Sequence, residues 1–252
     1  MKNTFAINYL PESAKHYGEG WAVVAVDVIR ATTLAITAVS LGRKCYPVDT
    51  IEAAMKCADQ FNHPLLAGEI DGDMPDGFEM NNSPAELSER DDLRPLIMLS
   101  SSGTRLLANA RGCDTLYLSS FRTSAALGSR LADGEHSKIA LIGAGSRGEF
   151  REEDQIGCAW IAQHLIEAGY TPRDMATASV VKQWGNAQAT DCLVSHSVDY
   201  LRKTNQLSDL DFILNHVDDL NDVFVLQDNE VVRASRPHAQ WNAQLIPAAD
   251  AV

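Results

Sequence analysis

The chain has 252 residues, enough for a sizeable core in one large domain or two closely packed lobes, and the composition of an ordinary globular protein. Its formal net charge of −13 argues against a nucleic-acid binder and requires that any anionic ligand be held by local arginines, backbone N–H groups or a metal ion. No run approaches the roughly 20 apolar residues of a membrane helix, no signal-peptide pattern opens the chain, and five scattered cysteines form no C-x-x-C pair, so a cytoplasmic protein with reduced thiols is expected.

Strand-like runs fall at about 4–9, 21–26, 44–48, 65–67, 96–99, 115–118, 139–142 and 223–226. Helix-like segments lie near 30–41, 51–61, 103–110, 123–132, 153–168, 174–183, 190–203 and 207–215. This alternation predicts α/β layers on a largely parallel sheet. Asp228-Asn229, between two short apolar runs, reads as a hairpin turn. Residues 133–136 are the best seam between two lobes of one 1–252 domain.

Taken in order, the first chemical station closes the run 21–26, which is continuous and apolar as a strand buried on both faces is, and stops at a lone carboxylate, Asp27. Arg30, Thr32 and Thr33 then open a segment of helical periodicity. Ligands of open α/β sheets bind at such strand ends, although Asp27 capping its own helix is the plainer role. Residues 68–84 read as a long loop, and their Asp71, Asp73 and Asp76 miss the glycine and glutamate offsets of a calcium loop.

A second junction joins a strand ending at Leu99 to Ser100-Ser-Ser-Gly-Thr-Arg105, where Ser101, Ser102, Gly103, Thr104 and Arg105 can wrap an anion or simply cap a helix. A third follows the strand at 138–142. Its Gly143, Gly145 and Gly148 fit G-x-G-x-x-G, but the third glycine does not fall inside a helix and the acid of a dinucleotide site is missing. Instead an acidic stretch leads to a helix expected from about Gln155, with Glu153 and Asp154 as candidate ligands of a hard cation or partners of the helix dipole. If the three strands are parallel neighbours, one sheet edge collects Asp27, Glu69, Glu153 and Asp154 with Arg30, Arg105 and the Ser/Gly/Thr loop. Carboxylates for Mg²⁺ beside groups for phosphate oxygens make a phosphoryl-transfer site. The seven histidines show no ligand spacing.

As a set, Asp27-x-x-Arg30-Ala-Thr-Thr33, Gly68-Glu69, Gly77-Phe78 with Asn82-Ser83-Pro84, Gly103-Thr104-Arg105, Ser120-Phe121, Ala144-Gly145 and Glu153-Asp154 resemble the 2-phosphosulfolactate phosphatase family, the ComB-like Mg²⁺-dependent phosphatases of coenzyme M biosynthesis. The resemblance implies a three-layer α/β/α fold, Mg²⁺, and hydrolysis of the phosphate ester of a small acid, 2-phosphosulfolactate or a related 2-phospho-hydroxy acid. Position by position it brings Asp27, Glu69, Glu153 and Asp154 near the metal, and Arg30, Ser83, Gly103, Thr104 and Arg105 near substrate anions. Asp27, Arg30 and Arg105 are then the candidate catalytic residues, and Thr32, Asn82, Ser101, Ser102 and Ser120 complete the substrate side. A metal-activated water and Asp27 itself are the two candidate nucleophiles, and Ile29 two residues on argues against the common Asp-x-Asp type.

Two departures bear on the substrate, both expected in substrate-facing loops. Ser102 stands where the family usually has Asn, and Thr123-Ser124 where it usually has Asn-Ala. The alternatives are a non-catalytic binding protein for a small phosphorylated or sulfonated acid and, on the three glycines, a nucleotide-dependent oxidoreductase. A homodimer is the base-rate expectation.

Overall fold

The computed structural model describes residues 2–235, so His238 lies outside the described residues. Its strands are β1 (Thr4–Asn8), β2 (Ala22–Val26), β3 (Cys45–Val48), β4 (Leu65–Gly68), β5 (Leu96–Leu99), β6 (Thr115–Ser119), β7 (Lys138–Gly143), β8 (Thr171–Pro172), β9 (Phe224–Gln227) and β10 (Glu230–Arg233). Among the described residues they form one sheet in the order β4-β5-β3-β10-β9-β6-β2-β7-β1-β8. The helices are α1 (Ala31–Ser40), α2 (Ile51–Ala58), α3 (Pro84–Ser88), α4 (Gly103–Asn109), α5 (Ser124–Ala132), α6 (Glu152–Glu167), α7 (Met175–Trp184), α8 (His196–Lys203) and α9 (Leu207–Asn215).

Successive side chains of a strand point to opposite faces, so a wholly apolar strand must be covered twice. Strand β2 shows this: Val23 and Ala25 join a core with Leu34 of α1 and Leu106 of α4, while Ala22, Val24 and Val26 join a second core with Leu127 of α5 and Ile156 of α6. The result is the three-layer α/β/α architecture on a mixed, largely parallel sheet. A smaller cluster under α2 covers Ile97 and Leu99 of β5.

Two parallel blocks, β4-β5-β3 and β6-β2-β7-β1-β8, are joined through the β9–β10 hairpin, which is antiparallel to β3 on one side and to β6 on the other. The hairpin turn falls at Asp228 and Asn229, whose φ values of 51° and 65° are what a two-residue turn of the right-handed twist requires. Counting directions through the hairpin, the blocks run in opposite senses. The expectation that the three chemical strands are parallel neighbours is therefore corrected. β2 and β7 pair directly, but β5 lies five strands from β2. The ends of β5 and β2 nevertheless meet at one cavity, lined by Asp27 from one block and Ser100 to Ser102 from the other. Helix α4 closes the remaining gap by packing its first turn onto α1.

Other boundaries shift for local reasons. The segment expected as one helix over 190–203 is a 3-10 turn at Ala189–Val194 followed by α8, because Ser195 is extended (ψ 153°) and its Oγ accepts the N–H of Val198 as an N-cap. Helix α6 begins at Glu152, not near Gln155, so Glu153 and Asp154 occupy its first turn, where acidic side chains complement the helix dipole. The 3-10 turn at Pro11–His16, the short α3 and the two-residue β8 have too few residues for a periodic signal.

Candidate active site

The ends of β2, β4, β5 and β7, together with α8, surround a cavity of about 730 Å³. At the end of β2 the chain turns into α1, and Thr32 fixes the turn. Its hydroxyl lies 2.7 and 2.6 Å from Asp27 O and Ser119 O, which share its one O–H, and accepts the N–H of Asp27 at 2.9 Å. Thr32 is thus a brace for the turn and does not line the cavity. Asp27 Oδ1 accepts the N–H of Ala31 at 3.1 Å, so the capping role holds, while Asp27 also faces the cavity. Burial pushes its carboxyl up to about 7, with Ala31 N–H pulling down, Glu69 and Glu153 pushing further up and Arg30 pulling down.

From the other block, the first turn of α4 reaches Asp27. A Cβ on Gly103 would press into the Asp27 carboxylate and lie 2.5 Å from Ala31 Cβ, so only glycine permits this approach. Ser101 and Ser102 line the cavity, whereas Thr104 turns inward to bond the backbone of Ser100. Glu69 organises this loop: Oε1 accepts Ser101 N–H at 2.8 Å, and Oε2 accepts Gly72 N–H at 2.8 Å and the Ser101 hydroxyl at 3.0 Å. Asn82 lines the wall, donating from Nδ2 to Leu99 O at 3.0 Å, and its buried Oδ1 has no partner among the described residues.

The third contribution comes from α6. Asp154 Oδ1 accepts Val28 N–H at 2.9 Å and Oδ2 accepts Gly145 N–H at 3.0 Å, which ties the β2 and β7 ends together. Burial, then the neighbouring Asp27 and Glu153, push its carboxyl well above the usual range. Glu153 is 1% exposed and neither oxygen has a hydrogen-bond partner among the described residues. Burial raises its pKa, opposed by the nearby Ser197 and Ser195 hydroxyls, which stop short of bonding geometry. Gly143 serves packing, since a Cβ there would lie 2.9 Å from Asp154 Cβ. The chain after it folds into a tight turn closed by Ser146 and Glu149, which is not a pyrophosphate loop.

Arg30 lines the cavity with its side chain only 5% exposed. Arg105 sits at the rim, 60% exposed and paired with Glu12 at 2.5 Å. Ser83 does not line the cavity: its hydroxyl donates to Asp209 and accepts the N–H of Glu86 as the N-cap of α3. Ser120 is fully buried beneath the site, as are Thr123 and Ser124, so the Thr123-Ser124 departure lies in the core and not in a substrate-facing loop as expected. Ser102 does face the cavity. The sequence places a helix over α8 and a loop over 146–151 but assigns neither to the site. They bring Arg147, Arg151, His196, Tyr200 and Lys203 to the cavity, and Tyr200 donates to Gly72 O at 2.7 Å across its mouth. Only the helical pattern of α8 was visible in advance, with nothing to say which face met the site.

The family model for 2-phosphosulpholactate phosphatase matches residues 8–229. The chain belongs to the 2-phosphosulfolactate phosphatase family. A protein of Carboxydothermus hydrogenoformans described as a probable 2-phosphosulfolactate phosphatase is 33% identical over 160 residues, 63% of this chain and 66% of the relative. One of Symbiobacterium thermophilum with the same description is 33% identical over 150 residues, covering 58% of this chain and 64% of the relative. The chain thus spans just under two thirds of the length of these two relatives. A Synechococcus protein, again so described, is 29% identical over 171 residues, 66% of this chain and 70% of the relative. Nothing in these comparisons supports the oxidoreductase or the non-catalytic binding protein. Among the described residues no helix is long and apolar enough to cross a membrane.

Proposed function

We propose that the protein is a Mg²⁺-dependent phosphatase that hydrolyses 2-phosphosulfolactate, or a related 2-phospho-hydroxy acid, to the hydroxy acid and phosphate. The observation that carries the reading is the meeting of Asp27 and Asp154, two buried cavity-facing carboxylates, with Arg30 and the Ser100–Ser102 loop around one cavity.

The donor set fits a hard dication. Among the described residues no three His, Cys, Asp or Glu side chains converge as a ready-made cage. Mg²⁺ needs none, because it keeps several waters and takes one or two carboxylates plus substrate oxygens. Asp27 and Asp154 would hold it, with the unpartnered Glu153 behind them adding negative charge. When bound, the ion neutralises charge on the phosphoryl oxygens and acidifies a bound water.

The protein's own groups then do the rest. The N–H groups of Arg30 and the hydroxyl of Ser102 bind and orient the phosphate, while the Ser101 hydroxyl is held by Glu69 and shapes the loop. Arg105 is free to leave its exposed pairing with Glu12, because such rim pairs contribute little. The oxygen of a water bonds to phosphorus as the bond from phosphorus to the ester oxygen breaks, and one proton of that water ends on the departing hydroxyl. Tyr200, bonded to Gly72 over the mouth, limits solvent access.

Phosphate release from 2-phosphosulfolactate and 2-phospholactate, with Mg²⁺ and with EDTA, tests the reading. Release only with Mg²⁺ is expected. Folded protein that releases phosphate from neither ester overturns it.

A further inference from the structure

Arg30 is held from behind by residues far from it in sequence. Its Nη1 donates to Asp209 Oδ2 at 2.5 Å and to Gln206 Oε1, and its Nη2 donates to Asn81 Oδ1 at 3.2 Å. Asp209, on α9, is itself immobilised. Its side chain is 1% exposed, and its other oxygen accepts the Ser83 hydroxyl at 2.6 Å and the N–H of Ala85 at 3.2 Å. The carboxylate is thus gripped by α3 on one side and grips the guanidinium on the other.

A guanidinium has five N–H groups. Three are used by Asp209, Gln206 and Asn81, which leaves Nε–H and one Nη2–H without an acceptor among the described residues, on a side chain that lines the cavity. We infer that Asp209 is a positioning residue: it fixes Arg30 so that its two unused N–H groups are presented to an anionic oxygen in the cavity. The inference rests on the phosphatase reading and adds α9, which carries none of the family motifs, to the machinery of the site.

Physical chemistry favours this over a purely structural pair. A buried ion pair adds little net stability compared with well-packed apolar side chains. Arg carries large rotamer freedom, and freezing it before the ligand arrives removes that cost from binding. The pair also leaves Arg30 electrically balanced, so that it supplies directed hydrogen bonds more than net charge.

The test is a mutant cycle on the full chain with Mg²⁺ present, comparing Asp209→Asn, Arg30→Met and the double variant. Asp209→Asn keeps the size and the acceptor for Ser83 but turns a donor toward Nη1. Its kcat/KM for 2-phosphosulfolactate is expected to fall about 10- to 100-fold. The double variant should be no worse than Arg30→Met alone, and Asp209→Glu should recover part of the loss. Additive losses in the double variant, or full activity in Asp209→Asn, overturn the inference. If Asp209→Asn does not fold, Gln206→Ala carries the same cycle, since Gln206 is partly exposed and makes no side-chain cap. If the wild type releases no phosphate, the phosphatase reading alone fails, and the same four proteins are compared by calorimetric titration with inorganic phosphate. A wild type that neither releases nor binds phosphate overturns both.

Discussion

Gly103→Ala is the most direct probe of how the two strand blocks share one site. The new Cβ would lie 2.5 Å from Ala31 Cβ and closer still to the Asp27 carboxylate, and both neighbours are anchored at the start of α1. Carbon atoms settle at about 3.5–4.0 Å, so α4 must retreat from α1 by roughly an ångström. Overpacking of this kind costs about 1–3 kcal/mol. Helix propensity works the other way, because Ala is favoured over Gly by at most about 1 kcal/mol. Overpacking wins, leaving a net loss of up to about 3 kcal/mol, which in a chain of this size lowers Tm by at most about 12 °C. The activity readout is sharper. Moving Ser101 and Ser102 about 1 Å from Asp27 should cut phosphate release up to about 100-fold. Gly112→Ala is the control, since a Cβ there meets nothing within 4 Å; it should be neutral or stabilising by up to about 1 kcal/mol, with activity intact. Thermal unfolding and phosphate release on both variants decide the matter. A Gly103→Ala protein with wild-type Tm and wild-type activity would refute the reasoning.

Three further outcomes follow from the buried carboxylates and the cavity mouth. Asp27 has a folded pKa of about 7 against an ordinary 3.8, so in EDTA its contribution to stability is full below the lower value and is lost as pH rises through the upper one. Asp154 and Glu153 act in the same direction. Mg²⁺ binds the ionised forms, so its stabilisation, about 2.7 kcal/mol at a hundredfold excess over Kd, should appear at pH 8 and shrink at pH 5; equal Tm shifts at the two pH values would contradict this. Glu153→Gln removes a buried carboxyl whose oxygens have no partner among the described residues, and should raise Tm in EDTA by more at high pH than at low pH, while lowering Mg²⁺ affinity, which calorimetry reads. Tyr200→Phe deletes the bond to Gly72 O, worth about 1 kcal/mol, and should raise KM several-fold with kcat little changed; a pure kcat effect would place Tyr200 in the chemistry instead.

How far the site could be read in advance varies with the reach of the signal. Wherever burial on both faces dictates a residue, as in β2, or backbone geometry does, as at Asp228-Asn229, the one-dimensional pattern and the fold agree. The junctions after β2, β5 and β7 were also legible, because strand, turn and helix are contiguous there. What failed was adjacency. The spatial order of strands depends on the C-terminal hairpin inserting between the blocks, and no local pattern announces that. The roles of hydroxyls failed for a related reason. Thr32, Ser83, Thr104 and Ser120 are the residue types of an anion loop, but equally the types that cap and brace turns, and only the fold tells the two uses apart.

The same limit explains why Arg30 reads so differently in the two views. In sequence it is a lone cation beside Asp27, apparently offsetting the carboxylates of the site. In the fold its charge is matched by Asp209, that of Arg105 by Glu12 and that of Arg151 by Glu149. With these pairs made, the carboxylates lining the cavity outnumber its Arg and Lys side chains. A phosphate ester entering such a cavity, in a protein whose total charge is −13, would meet repulsion wherever those carboxyls are ionised. A bound dication reverses that balance locally, and the arginines then contribute hydrogen bonds of fixed direction. The case for Mg²⁺ therefore rests less on a recognisable ligand cage than on Asp27 and Asp154, buried carboxyls whose ionised form burial disfavours and a neighbouring cation would favour.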